Sequence, residues 1–437
     1  MTVSADLQPY SERYFSPLEC MPSDTVTLAQ RQSLRYLLDS VRGSNAFYRR
    51  KLDGIDFEPD AGDLALLPFT TRAELQKDQE AHPPYGTNLT EPVEDYRRFH
   101  QTSGTHGRPM RWLDTPDSWQ ALTDCWCTIF TAAGVGASDR ILFPFSFGPF
   151  LGFWVAFDGA SRLGAMVIPA GGTSTLGRLQ MIAENAVTVV CCTPTYALHM
   201  AEVAAGHGID LAASTVKSLI VAGEPGGNIP EVRAKIEKAW GARLFDHHGM
   251  TEVGPVSFEC HEKPGGLHIN EEHYLAEVID PSTLQAVPDG TPGELVLTTL
   301  LRKASPLIRY RTGDQVILTR GKCACGRYYA RLEGGILGRV DDMFTVRGNN
   351  VFPSAVEAIL RRFDEVAEFR LTVFDRGPLA AVQLEVEPVS ATIDARSLCE
   401  KVSRTIHDEL HFKAGVTPVE VGSLPRFEMK AKRFVRK

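Results

Sequence analysis

The chain has 437 residues, which at roughly 150 residues per domain makes two or three compact units. Its 43% hydrophobic and 23% charged residues are those of an ordinary folded protein, which excludes disordered, collagen-like and coiled-coil classes. With 46 Lys+Arg against 54 Asp+Glu the net charge is −8, so a broad basic face for nucleic-acid phosphates is not expected.

The opening MTVSADLQPYSERYF lacks the basic start and apolar run of a signal peptide, which points to the cytoplasm. Leu34, Leu37, Leu38, Val41, Phe47 and Tyr48 recur at helical spacing, and Gly43-Ser44-Asn45 interrupts them, predicting a helix and then a shorter one over 28–52. From about 98 to 316, short aliphatic runs alternate with longer amphipathic segments, the pattern of α/β layers with parallel strands. MVIPAGG, VTVVCCTP and VKSLIVAGEP each end in a loop rich in Gly or Pro, and ligands in open α/β sheets sit at the carboxyl ends of strands. Three such loops point to one cleft. The most apolar stretch, ILFPFSFGPFLGFWVAF (141–157), is broken by Pro and Gly and falls short of the roughly 20 residues a membrane helix needs, so it reads as buried lining and no membrane partner is expected. Past Tyr274, LAEVID, PDGTPGELVLTTL and RYRTGDQVILT alternate with period two around hairpin turns, predicting an antiparallel β section. From Asp341 onward, a helix over 354–363, strands FRLTVF and LAAVQLEVEP, a helix over 395–411 and a basic tail make a small separate α+β domain. Nine scattered cysteines fit reduced thiols better than a disulfide framework, and Cys191-Cys192 reads as core.

Two segments carry chemistry by composition. QTSGTHGRP (101–109) packs three hydroxyls, two glycines and Arg108 into a turn, which suits a phosphate, although a turn alone has the same composition. Cys323-Ala324-Cys325-Gly326, with Cys260 and either His261 or His268, offers three thiolates and an imidazole, a ligand set for tetrahedral zinc; free thiols are the alternative.

Downstream, in order, come HHGMTEVGP (247–255), RYRTGDQV (309–316), GRVDDMFTVRGNNVFP (338–353) and LPRFEMKAKRF (424–434). With QTSGTHGRP these resemble the adenylate-forming acyl-CoA synthetase superfamily. YF…FYRRKL, AGEP, FECHEKPGGLHINEEHYLAEVIDP and RGNNVFP are similar to its phenylacetate–CoA ligase branch, and the likeness runs over nearly the whole chain.

The resemblance implies a large ATP- and acyl-binding domain over 1–340 and a small mobile lid over 341–437, hinged at Asp341. It places Thr102, Ser103, Gly104, Thr105, Gly107 and Arg108 around the β- and γ-phosphates, and Gly223, Glu224 and Pro225 as a wall of the adenine pocket. In His248-Gly249-Met250-Thr251-Glu252 the ring flanks adenine, Thr251 touches phosphate and Glu252 helps hold Mg²⁺. Asp314 matches the ribose carboxylate, Arg339 the cation facing the phosphates, and Lys430 the lysine that meets the acyl carboxylate and α-phosphate, with Lys432 as rival. His106, Arg108, His248 and Met429 stand where the family usually has threonine, lysine, tyrosine and glycine. Phe147, Phe150, Tyr196 and Gly249 to Gly254 are candidates for the acyl pocket, a wall suited to a flat ring, with ordinary core packing as the alternative for each. Relatives with a C-x-C-G segment use it for structural zinc, and His268, in the family-like GLH step, is preferred over His261. The implied activity is ATP- and Mg²⁺-dependent ligation of an aromatic acid to CoA through an aryl-adenylate. Delivery to an acyl carrier protein and a zinc-stapled nucleotide-binding protein without catalysis remain as alternatives.

Overall fold

The predicted pair of N-terminal helices forms as α1 (Ser23–Ser44) and α2 (Ala46–Lys51). Asn45 separates them and caps the second, its side-chain oxygen accepting the Tyr48 N–H at 3.0 Å. The computed structural model of the protein describes residues 11–60, 62–102, 108–346, 349–374, 381–427 and 431–437. Helix α3 (Arg72–Ala81) opens on a capping box between Thr71 and Glu74, which leaves Arg72 at its first position. Strands β1 (Arg98–Gln101) and β2 (Arg111–Asp114) pair antiparallel at the two ends of the hydroxyl-rich loop.

Strand and helix then alternate as the sequence predicts: α4 (Pro116–Ala132), β3 (Arg140–Phe143), α5 (Trp154–Arg162), β4 (Met166–Pro169), α6 (Thr175–Glu184), β5 (Val189–Cys192), α7 (Pro194–Gly206), β6 (Ser218–Val221) and α8 (Pro230–Trp240). The antiparallel section follows as β7 (Arg243–Met250), β8 (Gly254–Phe258), β9 (Gly266–Ile269), β10 (Tyr274–Ile279), β11 (Pro292–Thr299), β12 (Tyr310–Thr319), β13 (Arg331–Glu333) and β14 (Gly338–Arg339). All twelve strands from β3 to β14 form one sheet, ordered β10-β11-β12-β13-β9-β8-β7-β6-β5-β3-β4 with β14 beside β12. Its strands run parallel from β4 to β7 and antiparallel beyond, so β7 has one neighbour of each kind.

The inner strands of the parallel half are covered on both faces, which is why β5 is apolar throughout. Val189 and Cys191 pack with Trp126, Phe130 and Val155 of α4 and α5, while Val190 and Cys192 pack with Leu179, Met200 and Trp240 of α6, α7 and α8. The adjacent cysteines thus point to opposite faces, both are buried, and all nine cysteines are free. Leu34, Leu37 and Leu38 of α1 cover the antiparallel half at Leu295, Leu297 and Tyr310.

The C-terminal part has its own core. A hairpin of β15 (Phe344–Val346) and β16 (Asn349–Val351) leads to α9 (Pro353–Leu360), β17 (Val366–Phe374), β18 (Ala381–Pro388), α10 (Ala395–Leu410), β19 (Gly415–Pro418) and β20 (Phe434–Arg436). The four-stranded sheet runs β19-β18-β17-β20, and Val356, Leu371, Leu384, Val402 and Ile406 close its core. Among the described residues no helix is long and apolar enough to cross a membrane.

Candidate active site and metal centre

Ligands of open α/β sheets sit outside the carboxyl ends of the strands, and β7, the last parallel strand, ends in His247-His248-Gly249-Met250. Alternation sends the two histidines to opposite faces. His248 reaches Asp314 of β12, Nε2 to Oδ2 at 3.0 Å. His247 donates from Nδ1 to the Ser257 carbonyl at 2.7 Å and sits 4.6 Å from the Trp126 ring. Burial pushes its pKa down to about 3, so the ring is neutral.

Of the residues expected on the nucleotide side, Asp314 and Arg339 meet on the His248 face. Asp314 lies directly opposite Arg339 in the β12–β14 register, and Arg339 Nη1 bonds its Oδ1 at 3.1 Å. Asp314 therefore holds a cation on one oxygen and an imidazole on the other. Arg339 also pairs with Asp341 at 3.1 Å. Glu252, 6% exposed, faces Arg72 at 3.3 Å, and burial raises its pKa while the arginine opposes that rise. The carbonyls of Thr251 and Glu252 both accept from Arg302, at 3.0 and 2.9 Å. Arg302 is held by a bidentate pair with Asp114 at 2.7 and 2.8 Å, buried on both sides. A buried arginine thus fixes the turn that carries Thr251 and Glu252.

Thr102 closes the base of the hydroxyl-rich loop by accepting the Met110 N–H at 3.0 Å. Arg108 is exposed, and Ser103, Gly104, Thr105 and Gly107 lie outside the described residues. Gly223 takes φ +96° in the loop after β6. Glu224 beside it accepts the Thr195 N–H at 2.9 Å and the Ala431 N–H at 2.6 Å, while Pro225 is exposed. Lys430 lies outside the described residues; Lys432 is exposed beside Arg370, Thr372 and Glu385.

On the His247 face the aromatic residues form a continuous chain. Phe147 and Phe150 stand 5.4 and 5.3 Å from Phe145, Phe145 stands 5.5 Å from Phe153, and Phe153 stands 5.9 Å from Trp126 beside His247. Gly254, at φ +94°, leaves no space for a side chain: a Cβ there would lie 2.4 Å from Leu122. Tyr196 is placed apart from this wall. It is fully buried with the α6–α8 cluster and its hydroxyl is engaged by Thr175 and Arg178.

The zinc candidates converge as well. Donor atoms of Cys260, His268, Cys323 and Cys325 all lie within 4.8 Å of one another. Tetrahedral zinc with Zn–S of about 2.3 Å and Zn–N of about 2.0–2.1 Å needs edges of about 3.8 Å between sulfurs and about 3.6 Å from sulfur to nitrogen. The Cys260–Cys323 separation is 3.9 Å and Cys325 to His268 Nε2 is 3.6 Å. His268 donates Nδ1–H to the Tyr329 carbonyl at 2.9 Å, which leaves Nε2 free to ligate. His261 is bonded instead to Arg243 at 2.8 Å, so the choice between the two histidines goes to His268. The residues fit the ion.

Comparison with known proteins agrees with this geometry. The AMP-binding enzyme model matches residues 57–299, and the model of that enzyme's C-terminal domain matches 348–437. The chain belongs to the AMP-binding enzyme family. Within the family it is a phenylacetate–CoA ligase-like, adenylate-forming enzyme: it is 33% identical to the phenylacetate-coenzyme A ligase of Thermus thermophilus over 95% of this chain and 97% of that one. Identity with the Escherichia coli phenylacetate-coenzyme A ligase is 32%, over 95% of this chain and 96% of that one. Among solved structures it is similar to a 2-hydroxyisobutyryl-CoA ligase in its postadenylation state, with 29% identity, a TM-score of 0.94 and 100% and 95% of the two chains covered. Against that ligase in its thioesterification state the TM-score is 0.75, with 30% identity and 99% and 94% covered. The chain as a whole is thus more similar to the first of these structures than to the second.

Three residues of this family member carry no motif and were missed in the sequence: Arg72, Asp114 and Arg302. His247 opens the HHGMTEVGP segment but was given no role of its own. The Asp114–Arg302 pair joins residues 188 positions apart, and nothing local in either segment announces the other.

Proposed function

We propose that the chain is an ATP-dependent, AMP-forming ligase that joins an aromatic carboxylic acid to coenzyme A. The carboxylate attacks the α-phosphate of ATP, releasing pyrophosphate and leaving an aryl-adenylate; the CoA thiolate then attacks the acyl carbon and AMP departs. Two steps are needed because a carboxylate is a poor electrophile until it carries a good leaving group. The observation that carries the proposal is the division of β7. Its His248 face meets Asp314 and Arg339, while its His247 face begins an aromatic wall reaching Phe147 and Phe150. This division supports a nucleotide on one side of the strand end and a flat ring on the other. The relatives spanning the chain nearly end to end are named as coenzyme A ligases, and delivery to a carrier protein finds no support in them.

In this reading Asp314 accepts from the ribose hydroxyls, Arg339 and Arg108 face the phosphates, and Thr102 with the following loop encloses them. Thr251 contacts phosphate, and Glu252, paired among the described residues with Arg72, would hold Mg²⁺. When bound, that ion neutralises phosphate charge. The lid is assigned to 341–437 and the hinge to Asp341, whose carboxylate pairs with Arg339 and whose carbonyl accepts from Arg436 at 2.9 Å. The separate core of the C-terminal part supports that boundary. Acid-dependent ATP–pyrophosphate exchange, run with phenylacetate, benzoate, aminobenzoates, hydroxybenzoates and short fatty acids with and without CoA, tests the proposal. Exchange with an aromatic acid followed by its CoA thioester is expected; exchange confined to the fatty acids, or silence throughout, refutes it.

Structural zinc is assigned to Cys260, His268, Cys323 and Cys325, where it ties β8, β9 and the turn before β13 together. About one zinc per chain is expected by elemental analysis. Cys325→Ser is expected to lose it and to lower Tm, because metal binding adds directly to folding free energy. Full metal content in that variant would remove Cys325 from the site.

A further inference from the structure

Glu224 was expected as part of an adenine wall, yet its carboxylate is used elsewhere. Its two oxygens serve two different parts of the chain: Oε1 accepts the N–H of Thr195 at the start of α7, and Oε2 accepts the N–H of Ala431. Ala431 is the residue after Lys430. A second contact closes the ring, since Arg433 donates to Thr195 Oγ1 at 2.9 Å. Arg433 is itself fixed to the C-terminal sheet by a bidentate pair with Glu368, at 2.6 and 2.9 Å. The start of α7, with its partial positive charge, favours a carboxylate at this place. Burial raises the pKa of Glu224, and the Thr195 and Ala431 bonds work against that rise.

Other polar contacts join the two parts among the described residues, including a bond from the Ser354 hydroxyl to the Leu337 carbonyl at 3.0 Å and several ion pairs. Lys235–Asp364 at 3.2 Å, Arg362–Glu231 at 3.5 Å and Arg426–Glu202 at 3.5 Å each have a partner with an open side chain, and such pairs add little. Hydrogen bonds to an ionised carboxylate are shorter and stronger than neutral ones. The Glu224 contact is where the position of the last segment is specified.

We propose that Glu224 and Thr195 are positioning residues that clasp the segment from Ala431 to Arg433 in the arrangement used for adenylation, and that the clasp must open before thioester formation. This rests on the two-step ligase reading above. The clasp uses both carboxylate oxygens as acceptors, so Glu224→Gln keeps the shape but sets an amide N–H against one of the two backbone N–H groups. Thr195→Val keeps the backbone donor and removes the hydroxyl, which accepts from Arg433 and also bonds the Glu224 carboxylate.

The test measures the two half-reactions separately, with the panel acid that the wild type turns over fastest in pyrophosphate exchange and with its synthetic adenylate plus CoA. Glu224→Gln is expected to lower the exchange kcat at least about 10-fold and Thr195→Val about 3-fold. KM for ATP and thioester formation from supplied adenylate should stay within about 2-fold in both variants. An equal loss in both half-reactions, or a rise in KM for ATP without a fall in kcat, would overturn the clasp and return Glu224 to the nucleotide pocket. Should Glu224→Gln fail to fold, Thr195→Val decides alone: unchanged exchange rejects the proposal. A wild type silent across the panel refutes the ligase reading itself, and the clasp falls with it.

Discussion

Lys430→Ala is expected to lower acid-dependent pyrophosphate exchange by about 100- to 1,000-fold, the loss that follows removal of one preorganised charge-stabilising group. ATP affinity, measured by calorimetry, should change little. As the acyl carboxylate attacks the α-phosphate, negative charge builds on the transferring oxygens, and an ammonium aimed there acts on the transition state far more than on bound ATP. The neighbouring backbone is anchored, since the Ala431 N–H is held by Glu224 at 2.6 Å. Lys432 is the internal control. It is exposed beside Arg370 and Thr372 of the four-stranded sheet, and Lys432→Ala should leave exchange within about 3-fold of wild type. If the two results were interchanged, Lys432 would be the adenylation lysine. The supplied adenylate should still yield thioester in Lys430→Ala, because that step uses no attack on phosphorus.

Much of the fold was legible because hydrophobic period reports burial directly. VVCC and the LIV of SLIV are apolar and buried, as strands covered on both faces require, and they became β5 and β6, while MVIP became the more exposed edge strand β4. The site was legible wherever a role depends on backbone plus one side chain at a fixed spacing, as in His248 to Glu252 and in Asp314. What was hidden are choices made by tertiary register. His268 rather than His261 completes the thiolate cluster because β9 pairs with β13 at Arg331 and with β8 at Phe258, which sets the imidazole beside Cys325. Tyr196 follows the Thr193 cap of α7 on the face turned to α6, which buries it with the α6–α8 cluster. Glu224 sits in a glycine-containing loop of the expected kind, yet its carboxylate answers a backbone amide 207 residues away. Composition of a loop does not encode such partners.

Asp114→Ala is expected to destabilise the protein by about 3–5 kcal/mol, the usual result of stripping one partner from a buried ion pair. Asp114 is fully enclosed and Arg302 is 2% exposed, so the abandoned guanidinium has no water to turn to. For a chain of this size a loss of that order lowers Tm by roughly 5 °C. A fall in exchange should accompany it even at temperatures where the variant is folded, because Arg302 also donates to the Thr251 and Glu252 carbonyls and loses its fixed orientation. Stability and activity are separable in a double variant, Asp114→Leu with Arg302→Met. Apolar replacement of a buried pair is often neutral, so most of the lost Tm should return. The two carbonyls remain without their donor, and the turn bearing Thr251 and Glu252 stays loose, so exchange should stay at least about 10-fold below wild type. Recovery of exchange along with Tm would mean that Arg302 serves folding alone. Persistence of the defect in a stable protein would show that a residue with no motif of its own holds the magnesium-side turn in place.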